Sequence, residues 1–199
     1  MTSLLIRRRH RRRRAFIEGY EFPMALRNKL REELDGDRPV NVALEGLREW
    51  YLACLDAGPD ATLGMPSRAV DVAWHEMILM TRTYHHFCEQ AFGYYLHHSP
   101  DTVMAEPMRD SLARTLAVVE GSGVTMAGVP LLFAIDGELG LAGGQSWAED
   151  DIAALRDHVR YVDHGGGHAS YGGGFGSGCV SGDGGGGGGC GGGGCGGGG

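Results

Sequence analysis

Residues 70–100, VDVAWHEMILMTRTYHHFCEQAFGYYLHHSP, gather five of the nine histidines, one of the two cysteines outside the C-terminal 35 residues, and one of the three tryptophans. Imidazole, thiolate and carboxylate are the donors of zinc-type divalent cations. Imidazole and indole nitrogens buried in so apolar a stretch each need a hydrogen bond or a metal. Asp71 and His75 are four residues apart, so on a helix the carboxylate can accept from the imidazole and fix its tautomer. Cys88 offers a thiol, and His97 and His98 can fold back toward it beyond Gly93. Thirteen residues of unbroken helix would hold His75 and Cys88 ~20 Å apart, whereas the ligands of one zinc all lie ~2.0–2.3 Å from it. The spacing therefore predicts two separate candidate sites. One is Asp71 with His75, completed from another helix; the other is Cys88 with His97 or His98. A plain structural role competes at each position: an anchored half-buried histidine, a small apolar thiol in the core, and a solvated histidine pair.

Helical patterning supplies the elements that must hold these groups. Residues 24–34 place Leu26, Leu30 and Leu34 on one face, and residues 41–57 put Val42, Leu44, Leu47, Trp50, Tyr51, Cys54 and Leu55 on one arc. Ser67 is suited to cap a long helix running to Phe92, with Gly93 as its stop. Residues 107–119 keep the helical period behind Pro107, and Ser146 with Glu149 reads as a capping box for a last helix through His158. Residues 131–135 read as a short buried strand or extended packing segment. The fold class predicted is mainly α: a compact helical domain of about five helices, with at most a short extended segment or hairpin, plus disordered termini.

The ends differ from the middle. Between Arg7 and Arg14 there are seven arginines and one histidine, and 23 of residues 165–199 are glycine. The organisation expected is a disordered arginine-rich arm (1–14), a helical domain (15–164) and a disordered Gly/Cys-rich tail (165–199). The eleven basic residues outside the arm face twenty-five acidic ones, so residues 15–199 carry a net −14. Such a body repels nucleic acid except through Arg7 to Arg14. Met24 opens a complete helix pattern, which leaves two start positions open. The opening MTSLLI is too short for a signal peptide, and no stretch approaches the ~18 apolar residues of a membrane span. The expected setting is cytoplasmic, without a membrane.

The order Asp71, Trp74-His75, Ile78-Leu79, Thr81, Tyr84, Phe87-Cys88, Gly93, His97-His98, Pro100, followed by Pro130-Leu131-Leu132-Phe133 and Ile135-Asp136, resembles the glycine-rich domain-containing protein-like family of plants and bacteria. The likeness spans residues 43–136 and the tail. It implies a domain of no established biochemical activity. Plant members often read Trp-His-x-His where this chain has Met77, so a metal role that relies on that second histidine would be lost here. The stress association and RNA-binding modules of plant members do not carry over, because this chain has no such module.

Three functions follow. The first is a non-enzymatic interaction or carrier module whose Gly/Cys-rich tail serves as tether, with a protein partner or modifying enzyme. The second is a metal-dependent protein or enzyme centred on His75 with Asp71, holding a zinc-type divalent cation. The third is a precursor whose Cys179, Cys190 and Cys195 are modified or crosslinked, an unhindered glycine backbone leaving those thiols accessible. GxSxG, HExxH and phosphate-loop patterns are absent from the sequence.

Overall fold

The structure, a computed structural model, describes residues 2–98, 105–126, 128–165 and 179–181. Among the described residues the class is mainly α. The helices are α1 (Thr2–Glu18), α2 (Met24–Leu34), α3 (Asp37–Ala57), α4 (Arg68–Leu79), α5 (Thr81–Ala91), α6 (Ala105–Glu120), α7 (Leu131–Leu139) and α8 (Glu149–Gly165). Four strands of two or three residues accompany them: β1 (Leu96–His98), β2 (Thr125–Met126), β3 (Val129–Pro130) and β4 (Cys179–Ser181). β2 and β3 form a small antiparallel hairpin. β4 pairs antiparallel with β1, setting residue 179 against His98.

Helix α3 is the centre of the packing and touches α1, α2, α4, α6 and α7. Its buried residues, among them Ala43, Leu44, Gly46, Leu47, Trp50, Tyr51 and Cys54, keep to one contiguous arc, which Glu49, Ala53 and Leu55 widen to about two thirds of the circumference. A helix covered on most sides is what a core position demands. At Gly46 side chains of both α4 and α7 press on the helix: a Cβ there would sit 2.3 Å from Ile135 Cδ1 and 2.5 Å from Val70 Cγ2. One carboxylate, Glu49, is buried on this helix and accepts from Ser122 Oγ.

Three sequence expectations change. The arginine-rich arm is helical, not disordered, because α1 is anchored at its C-terminal end. Ile17 is buried, and Arg48 Nη1 donates to the carbonyls of Ile17 (2.6 Å), Glu18 (2.9 Å) and Tyr20 (3.0 Å), satisfying acceptors that a helix end leaves open. Arg14 and His10 pair with Asp56 of α3. Ile17 and Phe22 lie in the core, so the segment before Met24 belongs to the folded body. The long helix expected from Ser67 to Phe92 is two helices, broken at Met80 (φ −80°, ψ 58°). The cause is tertiary: the turn sends α5 against α1, where Phe87 meets Phe16 of that helix and Tyr20 just beyond it at ring distances of 5.7 and 4.7 Å. Packing of this kind overrides local propensity. Residues 131–135 are the start of helix α7 and not a strand. Pro130 (φ −53°) leads into it, and Leu132, Phe133, Ile135 and Asp136 are buried.

Helices α6 and α8 pack on one another, joined by Arg156 to Glu120 (2.5 Å) and by His158 to Asp110. Helix α8 starts later than the capping box implied: Ala148 N–H donates to Asp151 Oδ2 at 2.9 Å. Of the tail expected over 165–199, Cys190 and Cys195 lie outside the described residues, and for Cys179 the backbone pairing of β4 is what is described.

Candidate metal centre

Helix α4 carries the first two donors, and its start is fixed with unusual completeness. Ser67 has the extended geometry of an N-cap (φ −128°, ψ 125°) and accepts from Val70 N–H at 3.3 Å. The buried Asp136 of α7 does the rest. Its Oδ1 accepts from Ser67 Oγ (2.7 Å) and Ala69 N–H (3.0 Å), and its Oδ2 accepts from Arg68 N–H (2.7 Å) and Gln145 N–H (2.9 Å). A carboxylate here answers both the open amides and the positive end of the helix dipole. Asp71 and His75 follow one and two turns later on the same face.

The third donor comes from β1. Gly93 (φ +77°) adopts a left-handed turn that side-chain-bearing residues resist, and it folds the chain back after α5. Leu96 is then held from both sides. Tyr84 Oη donates to its carbonyl at 2.5 Å while accepting from Trp74 Nε1 at 3.0 Å. The Cys88 sulfur hydrogen-bonds the Leu96 backbone, and burial pushes that thiol up to about 11, so it stays neutral. Burial likewise raises Tyr84 far above the ordinary tyrosine value, which keeps it a hydrogen-bond donor. Two residues on, the His98 ring lies edge-on against Trp74, with ring centres 4.6 Å apart, and 4.1 Å from the ring of His75.

Asp71, His75 and His98 therefore meet. His98 Nε2 lies 3.0 Å from Asp71 Oδ1, and His75 Nδ1 lies 3.4 Å from Asp71 Oδ2 and 2.8 Å from the Asp71 carbonyl oxygen. One ligand atom from each residue falls within 4.8 Å of the others. The side chain of His98 is 8% exposed, that of Asp71 30% and that of His75 49%, so the cluster is closed on the protein side and open toward His75. A cavity of about 220 Å³ adjoins it, walled by Asp71, Arg68, Met65, Met108 and Gln145.

The two sites expected from the sequence are thus divided differently. His98 joins Asp71 and His75 instead of Cys88, and the partner that completes the pair is a strand and not a helix. Cys88 is not among these donors: its place is the anchor of Leu96, as a buried neutral thiol. His97 is exposed and stacks on Tyr95 at 4.7 Å, away from the cluster. Although the helix does break near Met80, the turn leaves His75 and Cys88 in different surroundings. The clamp of Asp136 and the cavity-lining Arg68 were missed. For Asp136 and Arg68 the sequence signal is faint, because each acts across a long separation, 69 residues between Ser67 and Asp136 and 74 between Arg68 and Ala142.

A family model, UCP032817-like, matches residues 12–169. This overturns the resemblance to the glycine-rich domain-containing protein-like family: the family matched is a different one, and no biochemical activity attaches to it. The spacing behind that resemblance is the spacing of Trp74, Tyr84, Cys88 and Gly93, which is set by the Leu96 anchor and the turn after α5. No curated protein and no solved structure matches the chain.

Proposed function

The chain belongs to the UCP032817-like family, and we propose that it is a metal-dependent protein in which Asp71, His75 and His98 hold one divalent cation. The observation that carries this reading is the convergence of two imidazoles and a carboxylate from separate elements to within 4.8 Å. Three protein ligands leave further coordination positions open, which is the arrangement of catalytic and not of structural sites. Two histidines and one carboxylate suit zinc, iron(II) or manganese(II). Such an ion supplies Lewis acidity to a bound oxygen ligand. The protein's part is positioning. Helix α4 holds His75 Nδ1 at 2.8 Å from the Asp71 carbonyl oxygen and 3.4 Å from its carboxylate, while Trp74 and the Leu96 anchor fix the ring of His98.

The test is elemental analysis of the purified full chain, followed by calorimetric titration of the metal-free protein with Zn²⁺ and Co²⁺. One equivalent is expected to bind. His98→Ala, His75→Ala and Asp71→Asn should each lower affinity by more than about tenfold, whereas His97→Ala leaves it unchanged. Affinity that ignores His98→Ala would end the proposal.

A role for the tail as tether or as modified segment, with Cys179, Cys190 and Cys195 as its reactive groups, stands beside this reading. What supports it is the pairing of β4 with β1, which brings residues 179–181 alongside the strand that carries His98.

A further inference from the structure

Asp71 belongs at once to the cluster and to the wall of the neighbouring cavity. The other charged group on that wall is Arg68, one turn earlier on α4. Its guanidinium donates through Nη1 to the carbonyl of Ala142 at 2.6 Å, which leaves its other N–H groups unused by that bond. The loop after α7 is shaped around it. Gly143 has φ +70°, and a Cβ there would stand 2.5 Å from Arg68 Nη1. Met65 and Met108 give the cavity apolar walls, and Gln145 lines it from the loop side.

We infer that this cavity binds a small oxyanion, a carboxylate or phosphate compound, with Arg68 anchoring the oxyanion while the other end of the molecule reaches the metal held by Asp71. The inference rests on the metal reading above and names the ligand class for the same site. Charge decides it. Without a cation, Arg68 and Asp71 offset each other; with a divalent ion on Asp71 the cavity is cationic at both ends. Residues three apart on a helix have Cβ atoms ~5–6 Å apart, so the molecule is short. The start of α4 is not the anion site, because Asp136 and Ser67 already occupy the amides of Arg68, Ala69 and Val70. Selectivity must therefore come from the guanidinium, whose planar fork suits an oxyanion.

The test loads the full chain with Co²⁺ and follows its visible spectrum during titration with methylphosphonate and with acetate. Saturable binding is expected, tighter in the metal-loaded than in the metal-free protein. Arg68→Met should weaken it about tenfold or more, Arg68→Lys should restore part of the loss, and Co²⁺ affinity should move less than about twofold. Gln145→Ala provides a second, milder variant should Arg68→Met unfold the loop; it is expected to weaken the oxyanion without altering metal affinity. Oxyanion binding that is absent, or present and indifferent to both substitutions while metal is retained, overturns the inference and leaves the metal reading standing. If the chain takes up no Co²⁺, the metal reading fails. The same titration followed by NMR on metal-free protein then decides the cavity: binding lost in Arg68→Met keeps it as an oxyanion site, and no binding removes it.

Discussion

Replacing Asp136 with asparagine keeps the shape of the side chain and removes its charge, and the consequence can be worked from the four bonds it accepts. If the new NH₂ group takes the place of Oδ2, it faces Arg68 N–H and Gln145 N–H, two donors with nothing to accept from it. If it takes the place of Oδ1, the Ser67 hydroxyl can turn to accept, and the loss reduces to the bond from Ala69 N–H. The second orientation is the cheaper one. It forfeits a charge-assisted bond of about 1.5–3 kcal/mol and leaves a buried amide open. Loss of the anion at the start of α4 adds up to ~1 kcal/mol. Asp136→Asn should therefore destabilise the fold by about 3 kcal/mol. Urea unfolding followed by far-UV circular dichroism should show a midpoint lower by ~1–2 M at unchanged slope. Because Asp71 sits in the turn that this clamp secures, metal affinity should fall with it, although Asp136 touches no donor. A change below ~0.5 kcal/mol would show that the carboxylate is not what holds the start of α4.

Three other outcomes are expected. Gly46→Ala forces a methyl group between Ile135 and Val70 and should cost about 1–3 kcal/mol; Ile135→Val in the same chain should recover part of it, and a thermal melt of the single and double variants checks this. Tyr84→Phe removes the bond to the Leu96 carbonyl and strands Trp74 Nε1, so it should lower stability by about 1–3 kcal/mol and reduce metal affinity about tenfold through His98, which titration calorimetry reads directly. For Glu49, burial raises the carboxyl above its ordinary value, with the Ser122 hydrogen bond opposing. The folded protein therefore holds that proton more tightly than the unfolded chain, so the stabilisation is complete below the unfolded value and is lost as pH rises through the raised one. Glu49→Gln, which cannot ionise, should gain melting temperature relative to the parent at pH 8 and gain least at pH 4; a gain equal at both values would separate the effect from ionisation.

Much of the fold was legible because helix signals are local. The leucines of α2 and the Ser67 cap each involve residues within one or two turns of each other. The break at Met80 was not legible, since no glycine or proline marks it and its cause is the contact of α5 with α1, some 70 residues upstream in the case of Phe16 and Phe87. Helix α7 was misread for a related reason. An apolar run of five residues has no visible period, and only its burial against α3 and its lead-in at Pro130 decide for a helix.

The site was half legible in the same sense. Asp71 and His75 are joined by helical spacing, and any reader of the sequence can pair them. His98 reaches them through a left-handed turn at Gly93, a three-residue strand and the grip of Tyr84 and Cys88 on Leu96, none of which has a periodic signature. A straight helix from Ser67 to Phe92 would have carried Tyr84 away from Trp74. The bend at Met80 instead lets the two side chains share a hydrogen bond across ten residues, and that bond is the first link of the chain that ends at His98. The residue that frustrated the helix prediction is therefore part of what assembles the donors. A variant that straightened the helix there, without touching Asp71, His75 or His98, should lose metal as surely as one that removed a ligand.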